Sequence, residues 1–137
     1  MKSPEHAAIG AVVGGVAVAV LFPGASFAAG ATLWVAGVVL SVFVDLDHFL
    51  IARAMCGDWS NLRRAVSNPR IGLIEQEQVF ADVDEPTLRQ YRLLSHLLVG
   101  GVLVLVGSQV DGRLAVLVAL LLYAHVVADL LRDSGLA

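Results

Sequence analysis

The sequence predicts an all-α protein, a bundle of four transmembrane helices with a long cytoplasmic loop between the second and third. Three observations carry this. Hydrophobic residues make up 58% of the 137 residues and charged residues 15%, whereas ordinary soluble domains hold about 45–50% and about 25%. Mean hydropathy is +0.80. The apolar residues also gather into four segments, each close to the roughly 20 residues that a helix needs to cross a hydrocarbon layer of about 30 Å.

The expected spans are residues 7–22, 26–44, 93–110 and 114–131. The first two carry no charged residue and are joined through Pro23-Gly24, a turn dipeptide. Asp111-Gly112 joins the second pair in the same way. Lys2 before the first apolar run resembles the start of a signal peptide, but the run leads almost directly into a second span, so a retained helix is expected. No Gly/Ser-rich or Pro-rich linker divides the chain, and residues 1–137 are read as a single integral membrane domain.

Glycines recur inside the apolar segments, and Gly10 and Gly14 form a GxxxG step that lets helix backbones approach closely in lipid. No strand precedes them and no P-loop Lys follows, so packing is the expectation and nucleotide binding is not. A net charge of -3 leaves no basic surface for nucleic acid. The single Cys56 has no partner for an internal disulfide.

Basic residues set the orientation. Arg53, Arg63, Arg64, Arg70, Arg89 and Arg92 lie in or beside the central segment, Lys2 and Arg132 lie near the termini, and Arg113 alone falls on the other side. The positive-inside rule then makes both termini and the central loop, about residues 52–90, cytoplasmic.

That orientation brings the histidines and several aspartates to one membrane level. His6 precedes the first span, Asp45, Asp47 and His48 end the second, His96 opens the third, and His125 and Asp129 close the fourth. His125 and Asp129 are four apart and share a helical face; Asp45 and His48, three apart, do the same. Asp47 points away from them unless the helix changes its winding there. Ionisable groups at the ends of apolar helices mark function when they have partners. Imidazole nitrogens with carboxylate oxygens suit Zn2+ or a similar divalent ion such as Mn2+. The expected metal ligands are therefore His6, Asp45, Asp47, His48, His96, His125 and Asp129. A hydrogen-bonded polar cluster or a proton relay is the alternative.

Four pieces, Glu5-His6, Asp45-Leu46-Asp47-His48, Arg92-Leu93-Leu94-Ser95-His96 and His125-Val126-Val127-Ala128-Asp129, together resemble the membrane-bound metal-dependent hydrolases of the YdjM/YbcI type. That family often has Pro, His and Ser where this chain has Val44, Tyr91 and Leu97. The resemblance retains the ligands but alters the polar residues around His96. It implies a distant relation to zinc-dependent phospholipase C and P1 nuclease, and so phosphoester hydrolysis at a cluster of metal ions.

The chemistry expected of such a site is activation of water by divalent ions. Asp47 or Glu5 is the candidate general base, and Arg92, one turn before His96, is the candidate phosphate contact, with headgroup anchoring as its alternative role. A lipid phosphoester is a candidate substrate, because the site would lie at the interface. The competing class is a non-catalytic metal-binding, transport or structural membrane protein; transporters place ligands nearer the midplane.

In the central segment, Asp84-Glu85-Pro86-Thr87 reads as a helix start feeding the third span through a short interfacial helix. Trp59, Leu62 and Val66 recur at helical spacing beside Arg63 and Arg64, as in a helix lying on an anionic surface. Glu75, Glu77, Asp82, Asp84 and Glu85 read as a solvated acidic face.

Overall fold

The computed structural model describes residues 3–136. Lys2, which entered the orientation argument, and the side chain of Glu85 lie outside the described part. All regular structure among the described residues is helical. Helix α1 spans Ser3–Leu21, α2 Phe27–Phe43, α3 Asp47–Cys56, α4 Ser60–Ser67, α5 Pro69–Leu73, α6 Gln76–Val79, α7 Glu85–Val110 and α8 Gly112–Asp133, with a 3₁₀ turn at Val44–Leu46 linking α2 to α3. Four helical stretches are long and apolar enough to cross a membrane: α1, the run Phe27–Cys56, Pro86–Val110 and α8.

Local sequence explains the boundaries. Ser26 accepts the Ala29 N–H as the cap of α2, and Asp84 accepts the Thr87 N–H at 3.1 Å with Pro86 in the first turn of α7. Asp111 caps α8 by accepting from the Arg113 N–H at 2.8 Å. Gly57, at φ 85°, takes the left-handed conformation that ends α3.

Two boundary expectations are corrected. Helix α7 starts at Glu85, not near Leu93, and runs unbroken to Val110, so no separate interfacial helix feeds the third span. Nothing between Thr87 and Leu93 breaks a helix, since Pro86 sits in the first turn where it is tolerated. His96 therefore lies about three turns inside α7. Helix α1 likewise begins at Ser3, which places His6 within its first turn.

The core of the bundle is a seam of three helices. The buried residues of α1 include His6, Gly10, Gly14 and Ala17, those of α2 are Gly37 and Ser41, and those of α8 include Leu117, Leu121, His125 and Asp129. Each set advances three or four residues at a time, so each is one stripe of its helix. The glycines bring the stripes together. A Cβ built on Gly10 would lie 2.5 Å from Ser41 Oγ, and one on Gly37 would lie 3.0 Å from the Leu121 side chain, which also reaches Gly14 at 3.5 Å. Trp34 Nε1 donates to the Ala11 carbonyl at 2.9 Å and ties α2 to α1. Outward residues such as Val12, Val16, Leu98, Val102 and Leu105 are large, apolar and exposed, as expected of surfaces that meet lipid.

The segment expected as a loop carries α4, α5 and α6, which fold back as a cap. Asn61 Nδ2, almost wholly buried, donates to the Val79 carbonyl at 2.7 Å and to Asp82 at 2.9 Å. Arg64 also bonds the Val79 carbonyl, at 2.8 Å, and pairs with Asp82. Gln76 Nε2 donates to Ser3 Oγ at 3.0 Å, which joins α6 to the start of α1. Within α4, Asn61 and Ala65 face inward while Val66, like Trp59 just before the helix, stays exposed.

Two predictions follow from this packing. Gly10→Ala must displace Ser41 and is expected to destabilise the bundle by about 1–3 kcal/mol. Gly101→Ala, with nothing within 4 Å, should leave stability unchanged or raise it slightly; thermal unfolding in detergent compares the two. The hydrogen bond from Arg64 holds the Asp82 carboxyl below its usual value of 3.8. Its contribution is thus complete above that value and is lost as pH falls through the lowered one. Hydrogen exchange should accordingly rise in residues 60–83 on acidification below about pH 4, before it rises in α8.

Candidate metal centre

Register along the seam delivers the site. The stripes that pack through Gly10, Ser41 and Leu121 each end, on the same side, in an ionisable group: His6 on α1, Asp45 just after α2, and His125 with Asp129 on α8. Helix α3 adds His48 in its first turn, and α7 adds His96. All are buried or nearly so; His6 and His125 are each 1% exposed, His96 3%, Asp129 5% and Asp45 7%.

Asp47 reaches this cluster because the helix changes its winding. The 3₁₀ turn at Val44–Leu46 winds at about three residues per turn, which swings Asp47 back toward the side of Asp45 and turns Leu46 outward. Asp47 Oδ2 then lies 2.9 Å from His96 Nδ1 and accepts from the Ser95 hydroxyl.

Hydrogen bonding fixes how the imidazoles point. His125 Nδ1 is 2.9 Å from the Ser41 carbonyl oxygen. A carbonyl only accepts, so this nitrogen carries the proton and the neutral ring presents a lone pair at Nε2. His96 Nδ1 faces the Asp47 carboxylate and is held the same way. The two Nε2 atoms lie 3.1 Å apart and only 3.0 and 3.2 Å from Asp45 Oδ1. His48 Nε2 approaches the same oxygen at 3.3 Å. On the other side of the carboxylate, His6 Nε2 is 3.5 Å from Asp45 Oδ2 and 3.3 Å from Asp129 Oδ1, and its ring stacks on His125 at 3.8 Å.

The cluster thus buries imidazole nitrogens and carboxylate oxygens, several of which no hydrogen bond satisfies. His6 Nδ1 and Nε2, His48 Nε2 and Asp47 Oδ1 are buried with no hydrogen-bond partner. Burying such groups unpaired is costly, and a cation bound at the lone-pair nitrogens of His6 and His48 would lower that cost. The donor set fits one. His6, Asp45, His125 and Asp129 offer ligand atoms within 4.8 Å of one another, and so do Asp45, His48 and His96. Asp45 belongs to both groups, with Oδ1 facing His48, His96 and His125 and Oδ2 facing His6. The buried His/Asp cluster could hold a metal ion.

Of the residues expected from the sequence, His6, Asp45, His48, His96, His125 and Asp129 fall within these groups. Asp47 stands behind His96 and beside His48, at 3.6 Å from its Nε2, in the place of a carboxylate that orients a ligating imidazole. Arg92 is drawn to Asp133, with Nη2 2.5 Å from Oδ2, and its Nε lies 3.8 Å from Asp129. Glu5 pairs with Arg132 at 2.5 Å and does not enter the cluster.

The sequence reading missed three participants. Asp133 continues the four-residue step from His125 through Asp129, and that spacing could have revealed it. Ser95 was visible only as part of a motif. Ser41 acts through its main-chain carbonyl, which no residue pattern advertises.

Above the cluster lies an open cleft of about 530 Å³, roofed by the cap; His48, Phe80, Arg89, Arg92, Arg132 and Asp133 line it. Phe80 meets the His48 ring edge-on at 6.1 Å. Comparison of the chain with protein-family models, curated proteins and solved structures finds no match.

Because Asp47 orients His96 and Asp45 faces both ligand groups, their variants should differ. Asp47→Asn is expected to weaken binding of a divalent ion about 10–100-fold, and Asp45→Asn to abolish it. Competition with a chromogenic chelator measures both; wild-type affinity in the two variants would contradict the geometry.

Proposed function

We propose that this chain is a membrane-embedded, metal-dependent hydrolase of a phosphoester substrate, with its site at the cytoplasmic interface. The observation that carries the reading is the convergence of His96 Nε2, His125 Nε2 and Asp45 Oδ1, three acceptors within 3.2 Å of one another in a buried site. Zn2+ is the preferred ion for a set so rich in imidazole, with Mn2+ the alternative. Asp45, which belongs to both groups of ligand atoms, would be the ligand they share.

Orientation rests on the arginines. The guanidinium of Arg113 lies over the Phe22 ring at 5.1 Å, so the turns at Pro23-Gly24 and Asp111-Gly112 share one end of the bundle. The remaining arginines lie toward the cluster, in α3 to α7 and at the end of α8. By the positive-inside rule the cluster, the cap and both termini are cytoplasmic.

Divalent ions held by these ligands would polarise a phosphoryl oxygen and lower the pKa of a coordinated water. The chain's own residues do the rest. His96 and His125 are held in the ligating tautomer by Asp47 and the Ser41 carbonyl. Asp47 Oδ1, buried and unpartnered, is the acceptor for the proton of the attacking water. Arg92 is braced by Asp133, and guanidinium donors not used in that pair serve for phosphoryl oxygens. The cap roof, with Phe80 against His48, limits the access of bulk water.

Protein purified in detergent and loaded with zinc or manganese should retain the metal stoichiometrically, and His48→Ala and His125→Ala should lose it. Metal-dependent turnover of a generic phosphoester should stop on chelation and return on reloading. A well-folded wild type that binds no divalent metal, or an activity indifferent to chelation, contradicts the proposal.

A further inference from the structure

A second cavity, of about 230 Å³, opens between α7 and α8 beside the cluster. Its inner end is formed by His96 and Asp129, and its walls by Leu93, Val126 and Leu130. Leu93 and Leu130 are 36% and 44% exposed, and the next turn of α7 adds Leu97 at 61%. The crevice therefore opens sideways, onto the apolar outer surface of two helices long enough to span a membrane. It is polar only where it meets the ligands and at its upper rim.

That rim connects it to the cleft above. Arg89, Arg92 and Asp133 line both cavities, which therefore adjoin at these three side chains. Where they adjoin, two arginines stand with Asp133, which pairs with both; an apolar arm leads away between α7 and α8 and an open arm toward the cap. A small water-soluble phosphoester needs only the open arm. An apolar arm that reaches the ligands from the side of the bundle has no use for such a substrate.

We propose that the substrate class is an amphiphile, a phosphoester bearing an alkyl chain, with the phosphate at Arg89 and Arg92 beside the cluster and the chain in the α7/α8 crevice. This rests on the phosphoester reading above and adds the chain to it. Leu93, Val126 and Leu130 then determine specificity, and Arg89 joins Arg92 in orienting the phosphate. The phosphate could come from a lipid headgroup or from free phosphate; the chain distinguishes the two.

The test uses metal-loaded full-length protein in nanodiscs of zwitterionic lipid. One probe is an alkyl phosphate with a photoreactive diazirine in its chain, and the control is the same chain as an alcohol. The phosphate probe should label Leu93, Val126 and Leu130 preferentially, and an alkylphosphonate should compete for that labelling about tenfold better than inorganic phosphate. Val126→Trp, which fills the crevice, should displace the label, and Arg89→Gln should lower it several-fold. The alcohol should label outward residues such as Leu97, Leu98 and Leu105 evenly. Equal labelling patterns for the two probes, or equal competition by inorganic phosphate and alkylphosphonate, would overturn the proposal. Metal content and chelator-sensitive turnover of a short-chain phosphoester are measured on the same samples. Metal-dependent turnover without crevice labelling removes the chain alone, whereas crevice labelling of protein that binds no metal supports the amphiphile and removes the hydrolase reading.

Discussion

Asp45 is the group around which the molecule is arranged. A carboxylate 7% exposed, with four imidazoles closing on its two oxygens, cannot be balanced by neutral rings whose lone pairs face it. Either the rings take up protons or a cation enters. The Ser41 carbonyl accepts the Nδ1 proton of His125 in either case, and in the neutral ring it leaves the lone pair of Nε2 for a metal ion.

That hydrogen bond depends in turn on backbone spacing. Ser41 lies against Gly10, and a single methyl group there would meet its side chain. The GxxxG step of α1 therefore does more than pack two helices; it sets the distance at which an α2 carbonyl meets an α8 imidazole. In lipid, where apolar side chains gain little by leaving one solvent for another, close backbone approach is a main source of helix association. The bundle's packing device and its chemical site thus occupy successive turns of the same stripes, as the run Leu117, Leu121, His125, Asp129 shows on α8.

Much of this was legible in the sequence. Four apolar segments announced four long helices, and the shared level of His6, His48, His96 and His125 announced a cluster, because helical periodicity and span length are properties of residue order alone. The i,i+4 pair His125 and Asp129 was readable for the same reason. What escaped depends on three-dimensional contact. The place of Asp47 required a 3₁₀ turn that no Gly or Pro marks, and the tautomer of His125 required a main-chain atom 84 residues away. The length of α7 was underestimated because hydropathy falls at Arg89 and Arg92 while helix-forming residues continue. The helix at α4 was legible in the spacing of Trp59, Leu62 and Val66, but α5 and α6 were read as loop because they are short and polar, and the burial of Asn61 carries no apolar signal.

Cap, cleft and bundle meet at one place, so the identity of what lies between the imidazoles decides the account. X-ray absorption on the zinc-loaded protein measures it directly. Zinc held by the histidines and aspartates of the cluster predicts a shell of nitrogen and oxygen neighbours at about 2.0–2.1 Å with outer-shell scattering from several imidazoles. A shell of oxygen neighbours without imidazole scattering would contradict the account.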